Sequence, residues 1–541
     1  MYINFCDIPG HQNLFLDYLY EFENVADFYA DDFRNKENYL KLFKTIIDNR
    51  RNLSLDIGNI VTNQYSSLSA STLTKQNIKR LSDKKTLAIV TGQQLGILGG
   101  PLYTFYKIIT AIKLSSYLSQ RYDDYNFVPV FWLEGDDHDF NEVRVVKLID
   151  DANSLSTIGY KEEIEEDDLK QSVGLINLDS SINDFFEKLN GVLKETEFKP
   201  VILEQLKEFY KEGKSFKSAF KELIFKYFDE YGLVIFDPQD EEVKKLLKPI
   251  FKKEITDFRI HTEKLVHVSA TLEELYHAQV KVKPVNLFLS VDNGRHSIEP
   301  VDNEYRLRRK RKSFTQDQLL ELLENEPDKF SPNVLLRPIC QDYLLHTAFY
   351  IAGPSEISYF AQIKSLYELY NITEPIIYPR SSVTVLENSI ANSLEKYSVE
   401  INEIFIDVEN VKKRIINSVE ESSIDEMFDD ISNQIETSFD QLKEKLLDLD
   451  KTIADSSNRY RDKILSTVSE LKSKAEKAQQ KKYEVTLRQI DRAAVHLFPN
   501  SNLQEREINF IYFVNKYGED FVKRIFEELQ INKFEHQVIR F

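Results

Sequence analysis

Cysteine is nearly absent: Cys6 and Cys340 are the only two in 541 residues. So sparse a pair supports neither a disulfide framework nor a cysteine zinc site, and it suits a reducing cytosol. Positive charge is also in deficit, with 70 Lys and Arg against 89 Asp and Glu and a net charge of −19. Such a surface repels nucleic acid and anionic membranes, so neither is expected as a partner. The one strong basic run, "RLRRKRK" (306–312), is flanked by acidic segments. It reads as the solvated side of a strand or turn, able to steer an acidic small substrate. No stretch approaches the ~18 uninterrupted apolar residues of a spanning helix. The start, "MYINFCDIPGHQ", lacks the basic head and apolar core of a signal peptide. A soluble, cytoplasmic protein is expected. Glycine is missing between Gly353 and Gly518, and proline from 381 to 498, which leaves that stretch free for long helices.

What is present is ample core material, 42% hydrophobic and 12% aromatic residues, and length for two to four domains at roughly 150 residues each. Five short β-branched-rich runs stand out: "TLAIV" (86–90), "FVPVFWL" (127–133), "LVIF" (233–236), "VLLRPI" (334–339) and "PIIYP" (375–379). Helical patterns lie between them, at 101–120, twice within 203–262, and at 355–370. Alternation of this kind predicts an α/β fold with a mostly parallel sheet. Each run is followed by polar residues: "GQQ", "EGDDHDFNE", "DPQD", "CQD" and "RSS". Strand carboxyl ends share one edge of a parallel sheet, so these clusters are expected to converge on one crevice.

The core is expected over 1–384, with insertions near 145–200 and 265–332. The second insertion reads as a β-hairpin with Asn293-Gly294 as its turn. From Ile431 the apolar positions alternate spacings of three and four through Phe439, Leu446, Ile453, Ile464 and Leu471 to Ala478. This is a heptad seam. An α-helical coiled coil is expected over 385–498, its seam covered by a fold-back of 385–420 or by a second subunit. Residues 499–541 regain a globular aromatic pattern and are expected to return to the core.

Three clusters carry chemistry. In "TGQQLGILGGPLYTFYK" (91–107), Pro101 suits a first helical position. The glycines, Gly96 among them, let backbone approach a ligand, and a helix N-terminus favours an anion. Gln93 and Gln94 can bind a carboxylate, hydroxyl or amide, with Tyr103 and Lys107 on one helical face at the same mouth. A capped turn is the plain alternative. In "WLEGDDHDFNE" (132–142), four acids surround one imidazole, so a cation is expected among them. His138 is the acid/base candidate, with Asp137 or Asp139 setting its tautomer. Alternatively Asp136, Asp137 and His138 could hold Mg²⁺ beside a nucleotide, and a solvated loop is the third possibility. Trp132 and Asn141 flank this loop as contact candidates. In 336–364, Arg337, Gln341, Asp342, Glu356, Tyr359 and Gln362 are further contact candidates, although helix capping alone explains Glu356. Arg337 and Arg380, the latter followed by Ser381, both end strands, where a guanidinium clamps carboxylate or phosphate. His346 reads as a core histidine and Cys340 as buried filler.

In this order the motifs "TGQQLGILGGPLYTFYK", "VPVFWLEGDDHDFNE", "LRPICQDYLL…YIAGPSEISYFAQIK", "YPRSSVTVLE" and "NLQERE" resemble the bacillithiol-biosynthesis cysteine-adding enzymes over nearly the whole chain. The resemblance implies a Rossmann-like core akin to class I aminoacyl-tRNA synthetases, with connecting-peptide insertions and a coiled coil that forms a homodimer. It implies a ligase that joins L-cysteine through an amide to the amine of glucosaminyl-malate, with ATP activating the carboxylate. On this footing Arg337, Arg380 or Lys107 suit the malate carboxylates, and His138 and Asp139 the acid/base role. For a nucleotide (ATP or ADP, with Mg²⁺) the alternative place is between core and coiled coil, near Gln504 and Arg506. "QLGILGG" is not the synthetase signature, and "YPRSS" is the nearest counterpart of its lysine loop. Two rival readings are a metal-dependent hydrolase using residues 136–139 and a non-catalytic dimeric scaffold.

Overall fold

A computed structural model describes every residue except 50, 162–163, 165–170, 309 and 420–423. Arg309 of the basic run and part of the acidic insertion thus lie outside the described residues. The chain divides into two compact units, residues 1–385 with 502–539, and residues 386–501 with 540–541.

The first unit is built on five strands: β1 (Thr86–Gln94), β2 (Asn126–Glu134), β3 (Val234–Phe236), β4 (Thr347–Ala352) and β5 (Ile376–Pro379). They run in the order β5-β4-β1-β2-β3, every pair parallel. β1 and β2 read as unbroken apolar runs because the interior of each is buried and only their ends are partly open, as in a sheet covered on both faces. Helix α1 (Tyr103–Arg121) joins β1 to β2, and α2 (Glu241–Glu273) follows β3. α3 (Arg337–Leu345) precedes β4, and α4 (Pro354–Tyr370) joins β4 to β5. This is a doubly wound, Rossmann-like order. It reverses between β1 and β4, and ligands bind in such sheets outside the strand ends at that reversal.

Three local expectations are corrected. "VLLRPI" is no strand: Arg337 opens α3, with Pro338 in its first turn, and the fourth strand is the next segment, "TAFYIA". His346 links the two as the left-handed cap of α3 at φ 51°; it is buried. Pro101 is not the first residue of α1. It pairs with Asn509 in an isolated bridge, and the helix starts two residues later. The hairpin Leu287–Val291/Gly294–Val301 turns on Asp292-Asn293, with φ of 50° and 59°, because Val291 pairs with Gly294. Asp and Asn tolerate that backbone region. This hairpin belongs to a five-stranded antiparallel sheet closed by Phe330–Pro332, whose side chains reach the site below. Its basic run is solvated as expected, with Arg306, Arg308, Lys310, Arg311 and Lys312 exposed and Tyr305 and Leu307 turned inward.

The second unit is helical. Its long helices α5 (Ile424–Leu447) and α6 (Lys451–Lys482) break the seam at 448–450 and pack on each other. Lys472 bonds Asp429 at 3.0 Å and Lys443 lies 3.4 Å from Asn458, which fits one antiparallel register. The seam's first partner is therefore its own other half rather than 385–420. Phe428 and Ala454 are buried, whereas Ile453, Ile464 and Leu471 stay more than two-fifths exposed. No helix among the described residues is long and apolar enough to cross a membrane.

Candidate active site

At the β1/β4 reversal a cavity of about 350 Å³ opens. Its floor is the end of β1 (Gly92, Gln93, Gln94), the end of β2 (Glu134) and the start of α4 (Gly353–Glu356). α1 contributes Tyr103 and Lys107, and the antiparallel insertion contributes Arg295. Arg337, Tyr350, Tyr359, Arg380 and Arg506 complete the wall with Asp137 and Glu142. Five cations and four carboxylates thus face one space.

Most of these charges are held in place. Lys107 is 1% exposed and meets Glu356 at 2.7 Å, also donating to the Gly92 carbonyl and to Gln93 Oε1. Burial pulls its pKa down while Glu356 opposes the shift. Glu356 accepts the Gly353 N–H at 2.8 Å and the Tyr350 hydroxyl at 2.7 Å. Capping and charge pairing therefore both use this one side chain. Arg337 donates to Gln341 at 3.0 Å, Tyr359 at 2.7 Å and Tyr350 at 3.3 Å, and its Nε stands 3.5 Å from Glu134 Oε2. That oxygen is buried and accepts no hydrogen bond among the described residues. Burial raises the Glu134 carboxyl to about 7 against the pull of Arg337. Arg380 donates to the buried Glu505 at 2.6 Å. The Arg506 side chain is exposed and lines the cavity.

Of the residues expected from sequence, Gln93, Gln94, Tyr103, Lys107, Asp137, Arg337, Glu356, Tyr359, Arg380 and Arg506 meet at this wall. Others lie elsewhere. Trp132 is core, stacked on Phe236 at 5.3 Å. Asp139 caps the short helix Phe140–Val143, accepting from the Glu142 N–H, and Asn141 is exposed beside Arg144. Gln341 and Asp342 lie beneath the wall, bonded to each other at 2.8 Å, and burial lifts Asp342 to about 6. Gln362 binds the Val280 backbone in both directions. Ser381 donates to the Gln530 carbonyl, and Gln504 clamps the Val385 backbone rather than facing the cavity. His138 sits beside the mouth with 44% of its side chain exposed, 3.6 Å from Asp137 and 3.5 Å from Arg295. Sequence reasoning missed Arg295, Tyr350 and the individual role of Glu134.

The aspartates of the loop diverge. Asp136 pairs with the buried Lys244 at 2.8 Å and accepts from Gln239. Asp137 accepts from Gln94 and from the His138 N–H. Burial pushes the Asp137 carboxyl up, but these bonds and Arg295 outweigh it and hold it below the usual carboxylate range. No group of three His, Cys, Asp or Glu among the described residues could hold a metal, so the hydrolase reading lacks a ligand set.

A second cavity of about 310 Å³ shares Gln93, Gln94, Tyr103, Glu142 and Arg506 with the first and extends past Gly96 and Gly100 to Asn509. The glycine loop beneath it bonds inward. The Gly96 N–H goes to Gln94, the Gly100 N–H to Ile97 and the Leu102 N–H to Ile508. Asn509 Nδ2 holds the Leu98 and Gly100 carbonyls. The start of α1 is thus covered by chain, and these amides do not form a phosphate cradle. Gly99 has φ +83°, and an added Cβ would lie 3.0–3.2 Å from Phe510, Phe105 and Leu223. Gly99→Ala is therefore expected to cost about 2–3 kcal/mol, from left-handed strain and overpacking together, read as a lower midpoint in denaturant.

With this geometry in view, comparison with known proteins assigns the chain. Residues 1–381 match the model for "Bacillithiol biosynthesis BshC, N-terminal Rossmann-like domain", and residues 383–541 that for the "C-terminal coiled-coil domain". Similar full-length proteins include three that carry the name "Putative cysteine ligase BshC". That of Salinibacter ruber is 33% identical, covering 97% of this chain and 96% of its own. That of Chloroherpeton thalassium is 35% identical over the same shares, and that of Chlorobaculum tepidum 32% identical over 96% and 95%. The protein belongs to the BshC family of bacillithiol biosynthesis.

Proposed function

We propose that this chain is a cytoplasmic ligase that joins the carboxyl group of L-cysteine to the amine of glucosaminyl-malate, the last step in making bacillithiol. One observation carries the reading: cations (Arg295, Arg506) and Glu134, whose buried Oε2 accepts no hydrogen bond among the described residues, line one cavity at the strand-order reversal. A malate-bearing amine needs a cation facing its carboxylates, which Arg295 offers, and a base to free its nitrogen. Condensing a carboxylate with an amine also needs an activated acyl group, for which a nucleoside triphosphate is the co-substrate, entering with Mg²⁺. Because the glycine-loop amides bond inward, the exposed Arg506 is the residue offered to its phosphates. Purified protein given cysteine, glucosaminyl-malate and ATP should yield the thiol product by mass spectrometry. Binding of all three without amide formation would defeat the reading.

The exposed seam residues support a homodimer through the coiled coil. Ile464→Asp with Leu471→Asp should turn a dimer into a monomer in sedimentation, leaving the helical content of the chain unchanged. Wild-type protein sedimenting as a monomer would remove this part of the proposal.

A further inference from the structure

We propose that Glu134, rather than His138, is the general base that removes the proton from the attacking amine. The inference rests on the ligase reading above. Glu134 ends β2, paired in register with Gln94 at the end of β1, so the fold delivers it to the cavity lining. The other acids there are committed. Glu356 is bound by Lys107, Tyr350 and Gly353, Asp137 accepts from Gln94 and His138, and Glu142 is exposed at the rim. Only Glu134 combines a place on the wall with a buried oxygen that accepts no hydrogen bond among the described residues. His138, by contrast, is 44% exposed and turns its Nδ1 toward Asp137 and Arg295.

The charges around Glu134 suit the task. Burial is the largest influence on it, Asp136 and Asp137 push the same way, and Arg337 and Arg295 oppose them, leaving the carboxyl at about 7. An amine of the α-amino kind titrates near 8, and proton transfer is most efficient when the base titrates close to working pH. In the step itself the amine nitrogen attacks the cysteinyl carbon of an acyl phosphate or acyl adenylate made from the nucleoside triphosphate. The C–N bond forms, the C–O bond to the phosphate group breaks with its electron pair leaving on oxygen, and the nitrogen's proton passes to Glu134 and then to water.

The test is the pH dependence of kcat/KM for glucosaminyl-malate at saturating cysteine and ATP. Wild-type activity should rise with pH through about 7. Glu134→Gln should lower it about a hundredfold at pH 8 and remove the limb near 7, leaving only the later rise from the amine's own deprotonation near 8, while the calorimetric Kd for glucosaminyl-malate stays within about threefold. Glu134→Asp should keep the rise at reduced rate. His138→Gln should lose about tenfold at most and keep it. A melting readout separates chemistry from structure. An acid whose folded pKa is raised stabilises the fold below its unfolded value and loses that contribution as pH climbs to about 7, so Glu134→Gln should melt no lower than wild type at pH 8. Glu134→Gln retaining the limb near 7, or His138→Gln losing it, overturns the proposal. A wild type that forms no amide defeats the ligase reading instead.

Discussion

Arg337→Ala should lower kcat/KM by roughly a thousandfold, about 4 kcal/mol. The guanidinium is buried and anchors the cavity wall through Gln341, Tyr359 and Tyr350. It is also the cation beside Glu134. Deleting it takes the donor away from the Tyr350 and Tyr359 oxygens and the Gln341 amide oxygen and removes the strongest influence holding the Glu134 carboxyl down. The acid limb of the pH profile should therefore move above 7, a change that simple loss of packing would not produce. Arg337→Lys should recover little, because an ammonium cannot serve three acceptors in the fork geometry of a guanidinium. The pH profiles of both variants decide the matter: an unshifted limb in Arg337→Ala would separate Arg337 from Glu134.

That Arg337 belongs to the cavity wall was legible in the sequence, but not how the fold places it there. It reads as the end of a strand because "VLLRPI" is apolar but for Arg337 itself, and a short apolar run looks alike in strand and helix. Pro338 favours the helix, since a first-turn proline gives up no hydrogen bond. β4 was missed for the converse reason. "TAFYIA" stands between two helix-like stretches without glycine or proline until Gly353, and His346 makes the turn in a left-handed conformation that no pattern announces. β1, β2 and β5 were legible because each is a β-branched run ending in polar residues. Their ends do meet at the reversal, which is why Gln93, Gln94 and Arg380 share one wall.

The remainder depended on distances that sequence does not carry. Glu134 is one of several acids in a row, and only its register opposite Gln94 and its buried oxygen, which accepts no hydrogen bond among the described residues, set it apart. Arg295 arrives on an inserted sheet more than 150 positions further along, fixed by Ser331 and the Pro332 carbonyl. The heptad seam was plain. Its reversal at 448–450 was not, because "LDLD" keeps the apolar spacing while Asp450 accepts the Thr452 and Ile453 N–H groups and so starts a new helix.

The ion pair lining the cavity gives the second large effect. Lys107→Met should destabilise the protein by about 3–5 kcal/mol, because it strands a carboxylate whose side chain is only 19% exposed. Glu356 keeps only the Gly353 N–H and the Tyr350 hydroxyl once its cation is gone. Glu356→Gln strands the ammonium instead, and its cost should depend on pH. Burial already lowers the Lys107 pKa, and loss of Glu356 lowers it further, so the folded state binds this proton less readily than the unfolded chain. Stability of Glu356→Gln should therefore rise with pH between the depressed folded value and the ordinary lysine value. The double variant removes both charges and should return to within about 1–2 kcal/mol of wild type in denaturant, since a buried ion pair contributes little net stability over a neutral replacement. Activity should not return with it, because Lys107 also fixes the Gly92 carbonyl and Gln93 at the end of β1. If the two single costs simply add in the double variant, Lys107 and Glu356 are not a coupled pair. If the double variant is active, the pair serves the fold alone and leaves the chemistry to Glu134 and its arginine neighbours.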